Sequence, residues 1–381
     1  MRKLFILIAV LAFTFVAKAQ EMPEHILKLM YTSNIITRFY VDDTDNSKIT
    51  ETGIKAMLKE LDPHSTYTDP KETKALLEQM QGSFSGIGIQ FNVVSDTLYV
   101  IQTTKNGPSE RAGILAGDRI IAVNDTAIAG VKMERSDIMT RLRGEKGTTV
   151  KVDVVRRGIG RLHFSLVRDD ISTETVDVAY MIDKKNGYIR ITSFGAKTHE
   201  EFVNKLDSLK NLGMKNLILD LEGNGGGYLS AAVEIAGEFN GDVTSEGNVI
   251  LSSAVCGRKN PRYDYLSGKG GGFRNGNLVV IVDETSASAA EILAGAIQDW
   301  DRGIIVGRRS FGKGLVQRPF QLPDGSMIRL TIARYYTPSG RCIQKPYDSD
   351  STKYEDDLMH RYNSGEMTSA DSIHFPDSLK T

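Results

Sequence analysis

The sequence predicts a multidomain protein with an α/β core, an inserted partly open β-barrel and an N-terminal helical region. From about residue 170, the apolar runs "GYIRITSF", "NLILDL", "NLVVIV" and "GIIVG" alternate with helical stretches. This alternation is typical of a largely parallel sheet layered with helices. Residues 82–168 instead contain short alternating strands broken by glycines, which indicates a compact barrel.

The first 19 residues, "MRKLFILIAVLAFTFVAKA", predict a signal peptide. Arg2 and Lys3 precede an apolar run, and Ala17-Lys18-Ala19 has the small-x-small pattern of a cleavage site. We therefore expect Gln20 to be the mature first residue and the protein to be exported, to a periplasmic or extracellular location. The alternative is an uncleaved anchor, which would leave the protein associated with a membrane.

Charge and cysteine content narrow the function classes. The 381 residues carry a formal net charge of -1, so the overall charge does not indicate nucleic-acid binding. Cys256 and Cys342 could form a disulfide in an oxidising compartment. Neither cysteine has neighbours with metal-ligand or redox-motif spacing, and the sequence predicts neither a metal nor a cofactor.

Residues 20–81 form the predicted helical region. In "ITETGIKAMLKEL", Ile54, Met57, Leu58 and Leu61 recur at helical spacing before Asp62-Pro63. The small size of this region suggests a packing or dimerisation arm. The barrel region includes one helical stretch from Ser136 to Leu142.

The candidate catalytic region spans residues 169–346, and a polar tail is predicted for 347–381. In "NLVVIVDETSASAAEILAGAIQDW", Ser286 and Ser288 lie between a strand and a helix. Parallel α/β sheets bind ligands beyond the carboxyl ends of their strands, so a nucleophile is expected there. The alternative is purely structural, because Ser288 and Glu291 have capping-box spacing.

A lysine offers the base that this serine would need. Lys313 follows the strand Ile304 to Gly307 and lies between glycines and apolar residues in "SFGKGLVQ". Desolvation lowers the proton affinity of a lysine. A shift from ~10.4 to roughly 7–8 costs on the order of 4 kcal/mol, within the range that burial can supply. A neutral Lys313 could then deprotonate Ser288 without a histidine.

The glycine-rich turn in "LILDLEGNGGGYLSAA" offers backbone donors. Amides at the start of a helix can stabilise a developing oxyanion. The alternative is a phosphate-binding loop in a nucleotide- or acyl-CoA-binding enzyme. The turn lacks the Lys-Ser/Thr ending of a nucleotide P-loop.

Together these motifs resemble the carboxyl-terminal processing peptidases, also called tail-specific proteases. The resemblance covers residues 36 to 345 and includes "SASAAEILAGAIQD", "SFGKGLVQ" and "TPSGRCIQ". It implies a ClpP/crotonase-like layered β-β-α core, with Ser288 as nucleophile, Lys313 as base and Gln317 as third member. By the same alignment, the Gly226 and Ala289 amides form the oxyanion hole. The glycine motif departs from the family's Asp-Leu-Arg-Asn-Asn-Pro-Gly-Gly, which leaves an inactive binding protein as the alternative.

The stretch "SGIGIQF…GPSERAGILAGDRIIAVND" resembles the family's PDZ domain. Such a domain adds a free C-terminus to a sheet edge. The resemblance places the carboxylate on the loop Gly86 to Ile89. An apolar pocket is expected from Ile87, Ile89 and Phe91, with Ile138 or Leu142. Gly88 completes the loop. The implied partners are proteins with nonpolar C-terminal tails. The sequence does not decide whether an adaptor or regulatory protein also binds, or whether the protein forms a homodimer.

Overall fold

The computed structural model divides the chain into two compact units, Met1–Tyr67 and Thr68–Thr381. The described residues are 22–81, 83–172, 174–240, 250–255, 262–267, 271–347, 354, 356–369 and 372. The predicted signal peptide at 1–19 and Cys256 lie outside this described part, whereas Cys342 is exposed with a free thiol. Among the described helices, none is both long and apolar enough to cross a bilayer.

Two helices and the start of a short strand lie in the described part of the first unit, and the helices confirm its predicted helical character. Its elements are α1 (Glu24–Phe39), α2 (Asn46–Lys59) and β1 (Thr66–Thr68). Asp45 caps α2 by accepting a hydrogen bond from the Lys48 amide at 3.0 Å. None of the described residues of α1 is buried.

The second unit begins with helix α3 (Pro70–Gln81) and continues into an antiparallel barrel. The barrel strands are β3 (Ile89–Val94), β4 (Thr97–Thr103), β5 (Arg119–Val123), β6 (Thr126–Ala127), β7 (Thr149–Arg156) and β8 (Gly160–Val167). They pair in the order β3-β4-β5-β7-β8, and β6 pairs with β5. Two helices accompany the strands, α4 (Pro108–Ala112) and α5 (Arg135–Leu142). The predicted barrel and its helix are therefore confirmed.

Alternation of apolar residues gives the barrel a core of its own. Side chains from β4, β5, β7 and α5, such as Leu98, Ile120, Val152 and Ile138, are almost fully buried together. A two-stranded antiparallel ladder joins the chain entering the barrel to the chain leaving it. This ladder consists of β2 (Ser83–Gly86) and β9 (Asp169–Ser172).

A five-stranded sheet forms the centre of the α/β region. Its strands are β10 (Val178–Met181), β11 (Asn186–Arg190), β12 (Asn216–Asp220), β15 (Leu278–Val282) and β16 (Ile304–Gly307), in that order. The last four are parallel, and β10 is an antiparallel edge strand. The helices are α6 (Thr198–Asn211), α7 (Leu229–Phe239) and α8 (Ala289–Asp299). This arrangement confirms the predicted α/β layering.

A second sheet completes the region. Four of its five strands are paired in the order β14 (Arg262–Leu266), β13 (Ile250–Val255), β18 (Met327–Tyr336) and β17 (Leu315–Gln321). β17 and β18 form a hairpin, and Gly325 in its turn has a φ of +87°. Helix α8 contacts both β13 and β16, so residues from Ala289 to Ile297 are all buried. Burial of each large apolar side chain contributes about 1.5–3 kcal/mol.

The C-terminal region contains more structure than its polar composition suggests. Residues Asp357–Asn363 form helix α9. The side chains of Tyr354 and Arg361 are buried, with 7% and 4% of their surfaces exposed. The described part of the predicted polar tail is therefore packed against the protein.

Candidate active site

The parallel sheet brings two loops together at the carboxyl ends of neighbouring strands. The glycine loop (221–228) follows β12, and the serine loop (283–288) follows β15. The Ala287 amide donates to the Asn224 carbonyl at 2.9 Å, and the Gly223 amide donates to the Asp283 carboxylate at 3.0 Å. Parallel neighbours end at the same sheet edge, so their loops are fixed side by side.

The structure distinguishes the two candidate serines. Ser286 is fully buried, and its hydroxyl donates to the Leu221 carbonyl at 2.7 Å and accepts from the Asp283 amide at 2.9 Å. Ser288 is partly exposed and has φ +57° and ψ −111°. Such a backbone conformation costs about 1–3 kcal/mol in a residue with a side chain and recurs at functional sites. Ser286 is a structural residue, and Ser288 has the exposure and the strained turn expected of a nucleophile.

Glu291 connects the serine loop to the lysine loop, which comprises residues 309–314. The predicted capping box of Ser288 and Glu291 is present. One carboxylate oxygen, Oε2, accepts from the Ser288 amide at 2.8 Å and from the Lys313 amide at 2.8 Å. The two amide nitrogens therefore lie within twice that distance of each other. The capping-box spacing in the sequence predicts only the local bond between Glu291 and Ser288.

The second oxygen of Glu291 binds the same loop. Oε1 accepts from the Ser310 hydroxyl at 2.8 Å and from the Gly312 amide at 2.6 Å. Only 6% of the Glu291 surface is exposed. Burial raises the pKa of Glu291 above its usual 4.5, although the hydrogen bonds from Ser310, Lys313, Ser288 and Gly312 oppose that shift. A buried carboxylate with four donors rigidly fixes the groups around it.

The amine of Lys313 is held by Gln317, as the sequence analysis expected. Nζ donates to Gln317 Oε1 at 2.9 Å, and both side chains are partly buried. A register shift between Val316 and Gln317 interrupts the β17–β18 ladder. Bulges of this kind change the direction of a side chain and are frequent beside active sites. The catalytic role of Gln317 stays a prediction.

The two expected oxyanion donors lie beside Ser288 but differ in their bonding. A Cβ on Gly226 would lie 2.8 Å from Ser288 Cβ and 3.0 Å from the Ala289 nitrogen, and Gly226 has a φ of +96°. A glycine is therefore needed to leave space in front of the Ala289 amide. The Gly226 amide itself donates to Asn224 Oδ1 at 2.8 Å, so in this conformation that donor is already occupied.

Asn224 fixes the glycine loop. The residue is fully buried, and its Nδ2 donates to the Ile191 carbonyl at 2.8 Å. The Phe194 amide donates to the Gly226 carbonyl at 3.0 Å. A Cβ on Gly227 would lie 2.1 Å from the Phe194 carbonyl oxygen, so only glycine permits this close approach of two backbones.

The barrel carries an apolar groove between β3 and α5. A cavity of about 530 Å³ is lined by four of the predicted residues, Ile87, Gly88, Ile89 and Phe91. Gly86 is absent from the described lining and instead pairs with Asp169 in the β2–β9 ladder. Leu142 lines the cavity, whereas Ile138 belongs to the core.

Among the seven lining residues that were not predicted, four extend or cover the apolar surface. Phe84 and Met139 extend the apolar surface, and Arg135 and Arg143 lie over the rings of Phe91 and Phe84 at 4.7 Å and 4.3 Å. Long side chains with charged ends can cover apolar surface in this way. The sequence pattern did not reveal the two arginines, because a charged residue on or beside a helix is usually solvated.

Comparison with family models identifies both parts of the second unit. Residues 185–351 match peptidase family S41, and residues 85–178 match the PDZ domain. The match to the PDZ model covers the barrel and its groove. The match to the peptidase model covers the glycine, serine and lysine loops.

Several proteins of known name are similar along most of this chain. CtpA of Bacillus subtilis (strain 168), a carboxy-terminal processing protease, is 35% identical over 80% of this chain and 64% of its own length. This chain therefore spans less than two thirds of that relative. The carboxy-terminal-processing protease of Bartonella bacilliformis is 32% identical over 87% of this chain and 76% of its own. The corresponding protease of Picosynechococcus sp. is 32% identical over 89% and 86%.

Proposed function

The chain belongs to the carboxy-terminal processing proteases of peptidase family S41, and from this premise we propose that it is a serine endopeptidase. It hydrolyses peptide bonds near nonpolar C-termini of exported proteins. One observation carries the proposal: a single oxygen of buried Glu291 binds the backbone amides of both Ser288 and Lys313. These two hydrogen bonds hold the serine loop and the lysine loop together, which supports the pairing of the proposed nucleophile with the proposed base.

The proposed reaction begins when neutral Lys313 takes the proton of the Ser288 hydroxyl. Ser288 Oγ attacks the substrate carbonyl, and the Ala289 amide stabilises the resulting oxyanion. Lys313 then returns the proton to the leaving amine, which departs and leaves an acyl-enzyme. A water molecule, deprotonated by Lys313, attacks the ester, and Ser288 recovers its proton as the acid product leaves. Gln317 orients the Lys313 amine throughout.

Gly226 is the proposed second oxyanion donor, and its use requires a local rearrangement. Its amide must exchange Asn224 Oδ1 for the substrate oxygen. Removal of one oxyanion donor costs about 10²–10³ in kcat in serine proteases. The occupied amide also favours the second candidate function, a catalytically weak or inactive protein that only captures C-termini.

The PDZ groove is proposed to bind the substrate C-terminus and to control access to the catalytic site. An extended tail would add to β3, with its terminal side chain among Ile87, Ile89, Phe91 and Leu142. Two structural features suit this role: the groove is apolar, and β3 is an edge strand of the barrel. Protein substrates with nonpolar tails would therefore bind in preference to charged ones.

Export and assembly are further parts of the proposal. The predicted signal peptide would direct the protein to a periplasmic or extracellular location, with membrane association if it is retained. Helix α1 exposes apolar residues such as Ile26, Met30 and Ile35, which supports a homodimer formed through the helical region. An adaptor protein stays open.

Cleavage of an unstructured protein with a nonpolar C-terminus tests the proposal. The wild type is compared with Ser288→Ala and Lys313→Ala, and mass spectrometry identifies the products. We expect cleavage by the wild type alone. Equal cleavage by all three proteins would refute the Ser-Lys mechanism. Binding of the tail without turnover by pure wild type would establish the binding protein instead.

A further inference from the structure

The C-terminal segment, here Tyr354 together with residues 356–369, packs on the outside of the lysine loop. Its composition is polar, yet Tyr354 and Arg361 are both buried. Two separate sets of contacts join the segment to the loop, one near Phe311 and one at Arg309.

The first set is a cation held between aromatic rings. The Lys345 ammonium lies 4.3 Å from the centre of the Phe311 ring and 4.1 Å from that of Tyr354. The same ammonium donates to the Asp357 carboxylate at 3.0 Å. The Phe311 and Tyr354 rings meet edge to face at 6.1 Å. Desolvated cation–π contacts of this kind are stronger than exposed ones. The Lys345 ammonium and the Tyr354 ring therefore fix the Phe311 side chain.

The second set fixes the start of the loop at Arg309. Arg361 Nη2 donates to the Arg309 carbonyl at 2.6 Å, and its Nε donates to Glu366 at 2.9 Å. Glu366 also accepts two hydrogen bonds from the Arg309 guanidinium, at 3.0 and 2.8 Å. Both the backbone and the side chain of Arg309 are therefore bound by the segment.

The residues before the segment bind the two glycines that flank Lys313. The Gly314 amide donates to Gln344 Oε1 at 2.9 Å, and the Lys345 amide donates to the Gly312 carbonyl at 2.9 Å. Gln344 Nε2 in turn donates to the Tyr354 hydroxyl at 3.3 Å. The backbone on both sides of Lys313 is therefore hydrogen-bonded to Gln344 and Lys345, and both of these residues contact Tyr354.

We infer that the C-terminal segment is a clasp that positions Lys313 for catalysis, with Tyr354 and Arg361 as its positioning residues. Glu291 ties the lysine loop to the serine loop, and the clasp adds a separate set of contacts to the same lysine loop. The inference rests on the proposed function, because it assigns the clasp to the base of that reaction. Misplacement of a catalytic group by about 1 Å can lower a rate 10²-fold.

Kinetics of full-length variants test the inference. Tyr354→Ala and Arg361→Ala are compared with wild type on a short reporter peptide without a nonpolar tail. Tyr354→Phe keeps the ring, and Met359→Ala changes an exposed residue of α9. We expect kcat to fall at least about tenfold in the two test variants, with KM nearly unchanged and Met359→Ala near wild type. Tyr354→Phe loses only the hydroxyl that accepts from Gln344 and should recover most of the activity that Tyr354→Ala loses. Looser packing hydrates Lys313, so the rise of rate with pH should also move to higher pH.

Hydrogen–deuterium exchange of residues 309–314 provides a readout that does not need activity. Tyr354→Ala and Arg361→Ala should speed exchange in this loop and leave β15 protected as in wild type. Unchanged loop exchange, or unchanged kcat and pH profile in both variants, would overturn the clasp. A wild type that does not cleave would refute the proposed function instead, and loop exchange would still decide whether the clasp exists.

Discussion

The catalytic loops and the PDZ groove are built from different interactions. The loops are held by buried polar side chains, since Glu291, Asn224 and Ser286 together bind amides and carbonyls of all three loops. The groove is formed by apolar residues and by the stems of two arginines. Hydrogen bonds fix direction, whereas apolar contacts tolerate varied shapes. The difference indicates that the catalytic loops have a geometry fixed for the reaction, whereas the PDZ groove accepts varied C-terminal tails.

The largest effect should separate the two serines of the serine loop. Ser288→Ala removes the nucleophile and should lower kcat by roughly 10⁴–10⁶. Alanine keeps the Cβ that strains the turn but loses the capping hydroxyl, so the free energy of unfolding should fall by about 0.5–2 kcal/mol. Ser286→Ala leaves the Asp283 amide and the Leu221 carbonyl without their partner, at a cost of about 1–3 kcal/mol in the free energy of unfolding, and should retain turnover. Peptide cleavage and urea denaturation measure both quantities. Loss of turnover in Ser286→Ala at wild-type stability would contradict these assignments.

Glu291→Ala should have the next largest effect. The substitution leaves four donors without an acceptor and frees the lysine loop from the serine loop. We expect kcat to fall about 10²-fold or more, while the affinity of the groove for a C-terminal peptide stays the same. Glu234→Ala on α7 is the matched control, because its side chain is mostly exposed. A parallel loss of peptide affinity would show that the two regions are not independent.

A substitution in the groove should lower peptide affinity and leave turnover unchanged. Phe91→Ala removes an aromatic side chain from the pocket and should weaken binding of a nonpolar C-terminal peptide by roughly 10- to 100-fold, corresponding to about 1.5–3 kcal/mol. Turnover of a short reporter without a tail should not change. Fluorescence anisotropy measures the first quantity and reporter cleavage the second. Unchanged peptide affinity would place the tail elsewhere.

The smallest effect concerns the dependence of stability on pH. Because the pKa of Glu291 is raised in the folded state, the folded protein binds more protons than the unfolded one between 4.5 and that higher pKa. The free energy of unfolding should therefore decrease as pH rises through this window, by about 1.4 kcal/mol per pKa unit. Glu291→Gln should lack this slope in denaturation experiments. An equal slope in both proteins would mean that Glu291 is not the cause.

Sequence patterns predicted those features of the fold and the site that depend on residues close together in the chain. Strand and helix periodicity located Ser288 after β15, and glycines and apolar residues around Lys313 distinguished it from surface lysines. Helix-cap spacing also identified Glu291, but only for its local bonds. Its contacts with Ser310, Gly312 and Lys313 depend on how β16 returns the chain to the serine loop, and no local pattern contains that information.

Two features depend on contacts that no local pattern contains. Gly86 belongs to the "GIGI" stretch that predicts the carboxylate loop, and it also pairs with Asp169, 83 positions away along the chain; its role in tail binding stays a prediction. The region 347–381 is polar and predicts a tail, and its composition does not reveal that Tyr354 and Arg361 are buried. A few buried residues in a polar segment do not change its composition.

The central claim is that Lys313 acts on Ser288 as a neutral base. Its most direct test is the rate at which a fluorophosphonate labels Ser288, measured against pH in wild type and in Lys313→Met. The account predicts a wild-type rate that rises to half its maximum at roughly pH 7–8, and far slower labelling without this midpoint in the variant. Equal labelling rates, or the same midpoint in Lys313→Met, would contradict it.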